Sequence, residues 1–403
     1  MYFLVNLCLF SDRSSQPDVN RTPMKTEQSL LFINGEWILK GPVELGHSAQ
    51  IVFVFGNREL LKSQENIEKI KSHYPAARIV GCSTAGEIRG EEVHSHAIVC
   101  TAAWFEKSSV RVVAEKISSM EESLEIGERL AGQLAEPGLV HVMVLSEGLN
   151  INGSELTKGI NRNLMGNTPV TGGLAGDEAD FRETVIVNDC AGEKNIVLAI
   201  GFYGENLNVG FGSKGGWDSF GVDRLVTRSK GNILFELDGQ PALELYKKYL
   251  GEHASGLPAS ALLFPLSLRL QDTDHYLVRT VLSINEHDGS MVFAGDIPQG
   301  EYVRLMKANS DRLIDGALQA AEISGTSLGE EESDLAILIS CVGRRLVMKQ
   351  RVEEELETVR EALGKNTTMT GFYSYGEIGP GKPSDHQCDL HNQTMTITLF
   401  KES

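Results

Sequence analysis

The sequence predicts a mixed α/β fold: mixed sheets built from three β-α-β repeats, with antiparallel strands added, in two domains. Three observations carry this. One layout recurs three times. Its strands are continuous Val/Ile/Leu runs, as parallel strands buried on both faces should be. Between the strands, apolar residues recur at helical spacing. The first copy runs Ile51-Val-Phe-Val-Phe-Gly56, a helical stretch, then Arg78-Ile-Val-Gly-Cys-Ser-Thr-Ala-Gly-Glu87. The second runs Val140-His-Val-Met-Val-Leu-Ser-Glu-Gly148, a helical stretch, then Pro169-Val-Thr-Gly-Gly-Leu-Ala-Gly-Asp177. The third runs Leu335-Ala-Ile-Leu-Ile-Ser-Cys-Val-Gly343, a helical stretch, then Met369-Thr-Gly-Phe-Tyr-Ser-Tyr-Gly-Glu377. From the Gly after the first strand to the Gly before the acid the spacings are 30, 28 and 33 residues, the length of a β-α-β unit.

Each element has a local reason. Residues 1–46 read as a leader and N-terminal extension, partly disordered: the start is apolar but lacks a basic n-region and a cleavage site, and a polar segment follows. Leu60, Ile67, Ile70 and Tyr74 make the first helical stripe, stopped by Pro75. Residues 97–105 and 110–117 read as an antiparallel pair, and Ser118/Glu121 or Ser119/Glu122 as a capping box opening a helix to about Ala135. Leu156, Ile160 and Leu164 follow Ser154 as expected N-cap. Residues 183–188, 196–201 and 207–212 are strand-like, and Gly212 to Trp217 reads as a loop near a domain boundary. Residues 225–237 read as a hairpin, Pro241 as a helix start, 275–306 as strands with Gly turns, and 310–323 as a helix behind Ser310. Val352, Leu356, Val359 and Leu363 form the third stripe, and 394–400 a closing strand. The expected domains are 47–222 and 223–403.

Composition excludes several classes. With 37 Lys+Arg against 55 Asp+Glu in 403 residues, the net charge of −18 repels phosphate backbones, so no nucleic-acid partner is expected. At 41% hydrophobic the chain can bury real cores. No apolar run reaches the roughly 18–20 residues of a membrane span. The 6 cysteines form no CxxC pair and no framework spacing, which points to the reducing cytosol. The 41 glycines have no Gly-X-Y period and imply tight turns or close backbone approaches.

The segments ending in Glu87, Asp177 and Glu377, together with Gly231-Asn-Ile-Leu-Phe-Glu-Leu-Asp-Gly-Gln-Pro-Ala-Leu243 and Leu390-His-Asn-Gln-Thr-Met395, resemble the FIST family from about residue 47 to the end. The resemblance implies an N-terminal and a C-terminal FIST domain in an intracellular input module for signal transduction. Its members are thought to bind small ligands, amino acids being the usual proposal. Some are haem-containing nitric-oxide sensors that act on partner histidine kinases. No output domain is recognised in the chain, so the expected partner is a separate histidine kinase or other signalling protein.

The candidate site is the repeated Gly-acid turn at the strand ends, where ligands bind in open α/β sheets. Gly86, Gly173, Gly176 and Gly376 would let a ligand approach the backbone, whose free N–H groups can hold a carboxylate. Glu87, Asp177 and Glu377 would face an ammonium, so the set suits an amino acid. Each acid could equally cap its own turn. Ser83, Thr84, Tyr373, Ser374 and Asn392 are candidate hydrogen-bonding walls. Arg344 or Arg345 could clamp a carboxylate, or pair with Glu353 to Glu357. Cys82, after a buried strand, is a candidate wall residue and, in an alternative reading, the nucleophile of an enzyme; its repeat equivalents are placed at Gly172 and Phe372. No cofactor is expected from the residues. A haem, which the family brings in, would take one axial histidine, His391 or His94 first, with His386 and His96 behind them. His94 and His96 would point to one side if extended. The leading expectation is a cytoplasmic small-ligand sensor, not an enzyme.

Overall fold

The computed structural model describes residues 24–32, 35–39, 45–164, 168–257, 259–269, 276–329, 331–382 and 387–403. The expected leader through Arg21 and the candidate His386 lie outside them. The fold is mixed α/β, as the sequence predicts, with four sheets among the described residues.

Three sheets share one plan, and each is built on one repeat. Ile51–Gly56 pairs in parallel with Arg78–Ser83, Leu139–Ser146 with Val170–Leu174, and Leu335–Cys341 with Thr368–Ser374. Each first strand takes an antiparallel neighbour on its other side: Ala97–Trp104, Ile196–Tyr203 and Met395–Glu402. These strands are buried on both faces for most of their length, which is why their sequence runs are mainly apolar, with His141 and Ser340 as buried polar exceptions. Of the N-terminal extension, Lys25–Phe32 is a strand along Ala97–Trp104.

The units interlock by exchanging strands in a cycle. The strand after the first acid turn, Glu87–Arg89, joins the third sheet beside Thr368–Ser374. The strand after the third turn, Gly376–Pro380, joins the second sheet beside Val170–Leu174. The strand that follows the second turn, Ile186–Asn188, joins the first sheet beside Arg78–Ser83. The expected pairing of 97–105 with 110–117 is therefore corrected. The first stays in the first sheet, while Ser109–Lys116 crosses to pair with Ile196–Tyr203 in the second. Likewise Leu207–Lys214 pairs with Met395–Glu402 in the third sheet. A short connection cannot distinguish a hairpin from a step between stacked sheets.

One glycine per repeat is required by packing. A Cβ at Gly81 would lie 1.7 Å from the Val54 carbonyl oxygen, at Gly172 2.0 Å from that of Val144, and at Gly371 1.8 Å from that of Leu338. Aligned on these glycines, Cys82 corresponds to Gly173 and Phe372, not to Gly172, because the second turn reaches its acid one residue sooner.

The helices follow the predicted stripes with shifted ends. The first stretch is two helices, Arg58–Leu61 and Gln64–His73, and Leu60, Ile67, Ile70 and Tyr74 are all buried. The helix Gly153–Asn163 is capped by Asn152, whose side chain accepts from Ser154 N and Glu155 N; Ser154 lies inside it. The helix Ser310–Leu328 is capped by Asn309 and packs on Leu207–Lys214. There a Cβ at Gly212 would meet the Ala320 carbonyl at 2.4 Å, so the bare strand lets the helix lie close. The strand runs through Lys214, so the expected loop begins three residues later than predicted.

Aromatic rings fill the space between sheets. Phe55 of the first unit meets Phe372 of the third at 4.8 Å, and Phe202 of the second meets Phe400 of the third at 4.8 Å. Truncating such a ring to Ala costs about 3–5 kcal/mol. The fourth sheet is antiparallel and holds residues from 218 to 307. The helix Ala242–Leu250 closes its core, with Leu243 and Tyr246 against Val226, Leu266 and Phe293. The expected boundary at 222/223 falls within its longest strand, Asp218–Lys230.

Candidate functional site

The strand exchange brings the three acid turns together. Ala85 N donates to Tyr373 O at 2.8 Å and Tyr373 N to Gly86 O at 2.8 Å, tying the first turn to the third. Gly176 N donates to Ser83 O at 2.9 Å, tying the second to the first, and Tyr375 N to Leu174 O at 3.1 Å, tying the third to the second. Gly176 has room for no side chain, since a Cβ would stand 2.9 Å from Ala85 N. Gly173 faces Ile339 and Phe372, Gly376 faces Leu174 and Leu390, and Gly86 faces the Arg345 guanidinium.

The three acids are all buried and differ in how they are satisfied. Asp177 is saturated: Phe181 N, Arg182 N and Glu183 N donate to it at 2.9, 2.9 and 2.8 Å, Arg58 Nη1 at 2.8 Å, and the Tyr375 hydroxyl closes the set. It caps its turn. Glu377 accepts from Ser374 Oγ at 2.5 Å, Thr394 Oγ1 at 2.9 Å and Thr394 N at 3.1 Å, and burial pushes its carboxyl up to about 7. Glu87 accepts from Thr84 Oγ1 at 2.7 Å through Oε1, whereas Oε2 is buried with no hydrogen-bond partner among the described residues. Burial pushes this carboxyl up to about 8, with the Thr84 bond and the nearby Arg345 charge pulling the other way.

Arg344 does not clamp a ligand carboxylate. It is wholly buried against Glu355, with Nη2 donating to Oε2 at 2.8 Å, and its other donors reach Leu313 O at 2.7 Å and Gly215 O. Ser340 Oγ at 3.2 Å and the Tyr373 hydroxyl at 2.6 Å donate to Glu355 Oε1, completing the network. Glu355 was discoverable, since it falls three residues after Val352 and four before Val359, on the apolar stripe itself. Arg345 lies at the edge of the junction, donating to Ala85 O and Ser95 Oγ with its guanidinium over the Tyr373 ring.

Ser83 Oγ accepts from Val185 N at 2.9 Å and serves the exchanged strand. Cys82 is fully buried, and burial raises its thiol well above its ordinary value. A thiol held that way is a poor nucleophile, so the enzyme reading gains no support from its surroundings. Of the histidines, His391 lies with Nε2 3.0 Å from Gly379 O, and His94 with Nε2 3.2 Å from Glu92 and its ring edge-on to Phe32. His96 adopts φ 58° in an exposed turn, so the two rings of the His-x-His do not share a strand face. In each of the two candidate axial rings it is Nε2 that is turned toward another group of the chain.

The loop after His391 joins the third unit to the fourth sheet. Gln393 Nε2 donates to Thr280 Oγ1 at 3.0 Å, Trp217 Nε1 to Gln393 O at 2.8 Å, and the buried Arg279 to Leu390 O at 2.9 Å. Asn392 is 1% exposed, and both its amide atoms lack hydrogen-bond partners among the described residues.

Family models match nearly the whole of this architecture: the FIST N domain over residues 50–240 and the FIST C domain over 242–380. The chain belongs to the FIST family. FIST domains are sensory domains of signal transduction. The chain is also similar to an uncharacterized protein of Methanocaldococcus jannaschii, MJ1623, at 23% identity over 384 residues, covering 83% of this chain and 70% of that one. The boundary between the two FIST domains falls just after the first hairpin of the fourth sheet, so the third unit, which closes the strand cycle, lies in the FIST C part of the chain. No described helix is long and apolar enough to cross a membrane.

Proposed function

We propose that this FIST protein senses a small polar metabolite, an amino acid by preference, at the junction of the three acid turns. It would pass the signal to a separate protein. The observation that carries the reading is the difference among three equivalent acids: Asp177 and Glu377 are satisfied by the chain, and Glu87 keeps a buried oxygen with no hydrogen-bond partner among the described residues. A buried carboxyl oxygen without a donor is costly, and a ligand ammonium would relieve it. The signal has a route, because the junction meets the fourth sheet through Gln393, Thr280 and Arg279. A ligand that favours one arrangement of that contact shifts its population and so the surface offered to a partner.

Thermal unfolding of the native protein with the amino acids, small carboxylates and small amines tests this. A rise in Tm that saturates with one class supports the reading. No rise with any of them leaves it without a basis.

A further inference from the structure

Ser109–Lys116 is the outermost strand of the second sheet. Its inner edge is paired along its whole length with Ile196–Tyr203, and no described strand lies along its outer edge. The other margins of the four sheets are three to five residues long, apart from Leu207–Lys214. That strand lies against the helix Ser310–Leu328, with Gly210, Phe211 and Gly212 buried. Within Ser109–Lys116 only Val113 is buried. A long open edge is a template for another strand unless its side chains block the approach.

The charges on this edge suit a second copy of it. Arg111, Val113 and Glu115 share one face, where Val113 packs with Ile126, Leu130 and Leu134 of the helix Ser123–Leu134. Val110, Val112 and Ala114 take the other face, half-buried against the core around Phe202. A two-fold axis normal to the sheet keeps each face on its own side, so odd residues meet odd ones. With the axis at Val113, two copies run antiparallel, Arg111 stands opposite Glu115 of the second copy, and Glu115 opposite its Arg111. Val112 then meets Ala114. Moving the axis to Val112 or Ala114 sets Arg111 against Val113 or Ile117 instead. Contacts within the chain extend the pattern. Glu115 accepts from Arg129 Nε at 3.0 Å and Gln133 Nε2 at 2.7 Å, and Arg111 pairs with Glu136. Across the axis the signs alternate: Arg129, Glu115, then Arg111 and Glu136 of the second copy. We propose that Ser109–Lys116 is a homodimer interface, joined to its counterpart antiparallel about Val113. Two six-stranded sheets would become one, and the half-buried Val112 and Ala114 would gain cross-strand neighbours. This is independent of the ligand reading.

Sedimentation velocity of the full chain, from micromolar to submillimolar concentration, tests this. The native protein should show a monomer–dimer equilibrium. Arg111→Glu and Glu115→Arg each set like charges face to face at two symmetric places, and each should weaken association by about tenfold or more. The double variant Arg111→Glu/Glu115→Arg restores opposite charges across the axis and should recover the dimer, whereas effects confined to one chain would add. Arg111 and Glu136 are 45% and 57% exposed, so the reversals should leave the fold intact by circular dichroism. Directly opposed residues of antiparallel strands lie about 4.5–5.5 Å apart at Cα, within reach of a disulfide. Val113→Cys should therefore link two chains through position 113 on mild oxidation, as read by peptide mapping. A native protein that stays monomeric throughout overturns the proposal. So does a dimer that tolerates both reversals and forms no link through position 113.

Discussion

The guanidinium of Arg344 and the carboxylate of Glu355 face each other at 2.8 Å with neither exposed to solvent. Two helical segments of the third unit are pinned by this pair, and Gly215 and Leu313 are drawn into the same network. Arg344→Met leaves the Glu355 charge buried without its partner, and should cost about 3–5 kcal/mol. The double variant Arg344→Met/Glu355→Leu should recover part of that loss. Urea denaturation of the two proteins checks both expectations, and equal losses would show that the pair is not coupled.

Asp177 is a structural cap. Asp177→Ala strands three backbone donors and Arg58, so a loss of about 2–4 kcal/mol is expected. Tyr375→Phe removes one donor and should cost about 1–2 kcal/mol. In neither protein should the rise in Tm that an amino acid gives the native protein disappear. Equilibrium unfolding and titration of the same preparations decide this.

Glu87 gives stability a signed pH dependence. Its folded carboxyl sits at about 8 against an ordinary 4.5, because burial disfavours the charge; Glu178 adds to this and Arg345 opposes it. Below the ordinary value both folded and unfolded forms are protonated, and the group costs nothing. As pH rises the unfolded chain ionises first, so stability is lost progressively until the folded carboxyl also ionises near 8. The loss runs at about 1.4 kcal/mol per pH unit for this group. Glu87→Gln lacks it. The variant should therefore gain on the native protein between pH 5 and 8, by a few kcal/mol at the upper end. A native-minus-variant difference that is flat across this range would contradict the account.

Cys82 should resist alkylation. Its thiol is buried on a strand between Phe55 and Ile186, and burial holds it protonated. Iodoacetamide mapped by mass spectrometry should label the half-buried Cys190 well before Cys82, whose labelling should appear with global unfolding. Rapid labelling of Cys82 in the native protein would revive thiol chemistry.

The repeat, the parallel strand pairs and the helical stripes were all readable in the sequence, because each is a local pattern with a period. What could not be read was partnership across the cycle. Nothing near Glu87 says that its strand pairs with Phe372, or near Ser109 that it crosses to Ile196. The grouping of Glu87, Thr84, Tyr373 and Asp177 at strand ends was anticipated from motif position. The division of labour among the acids was not, since it depends on Arg58, Tyr375 and Thr394, which come from distant stretches of chain.

The strand cycle also constrains how the chain can be made. Met395–Glu402, synthesised well after Glu87–Arg89 and Leu207–Lys214, is an interior strand between Leu207–Lys214 and Leu335–Cys341. Until it emerges, the third sheet has an open gap, and Glu87–Arg89 waits on Thr368–Ser374 for its neighbour. Nascent chains halted at residue 240, the end of the FIST N match, should therefore stay protease-sensitive along Glu87–Arg89 and Leu207–Lys214. The first repeat is translated before the third, yet waits on it to be completed.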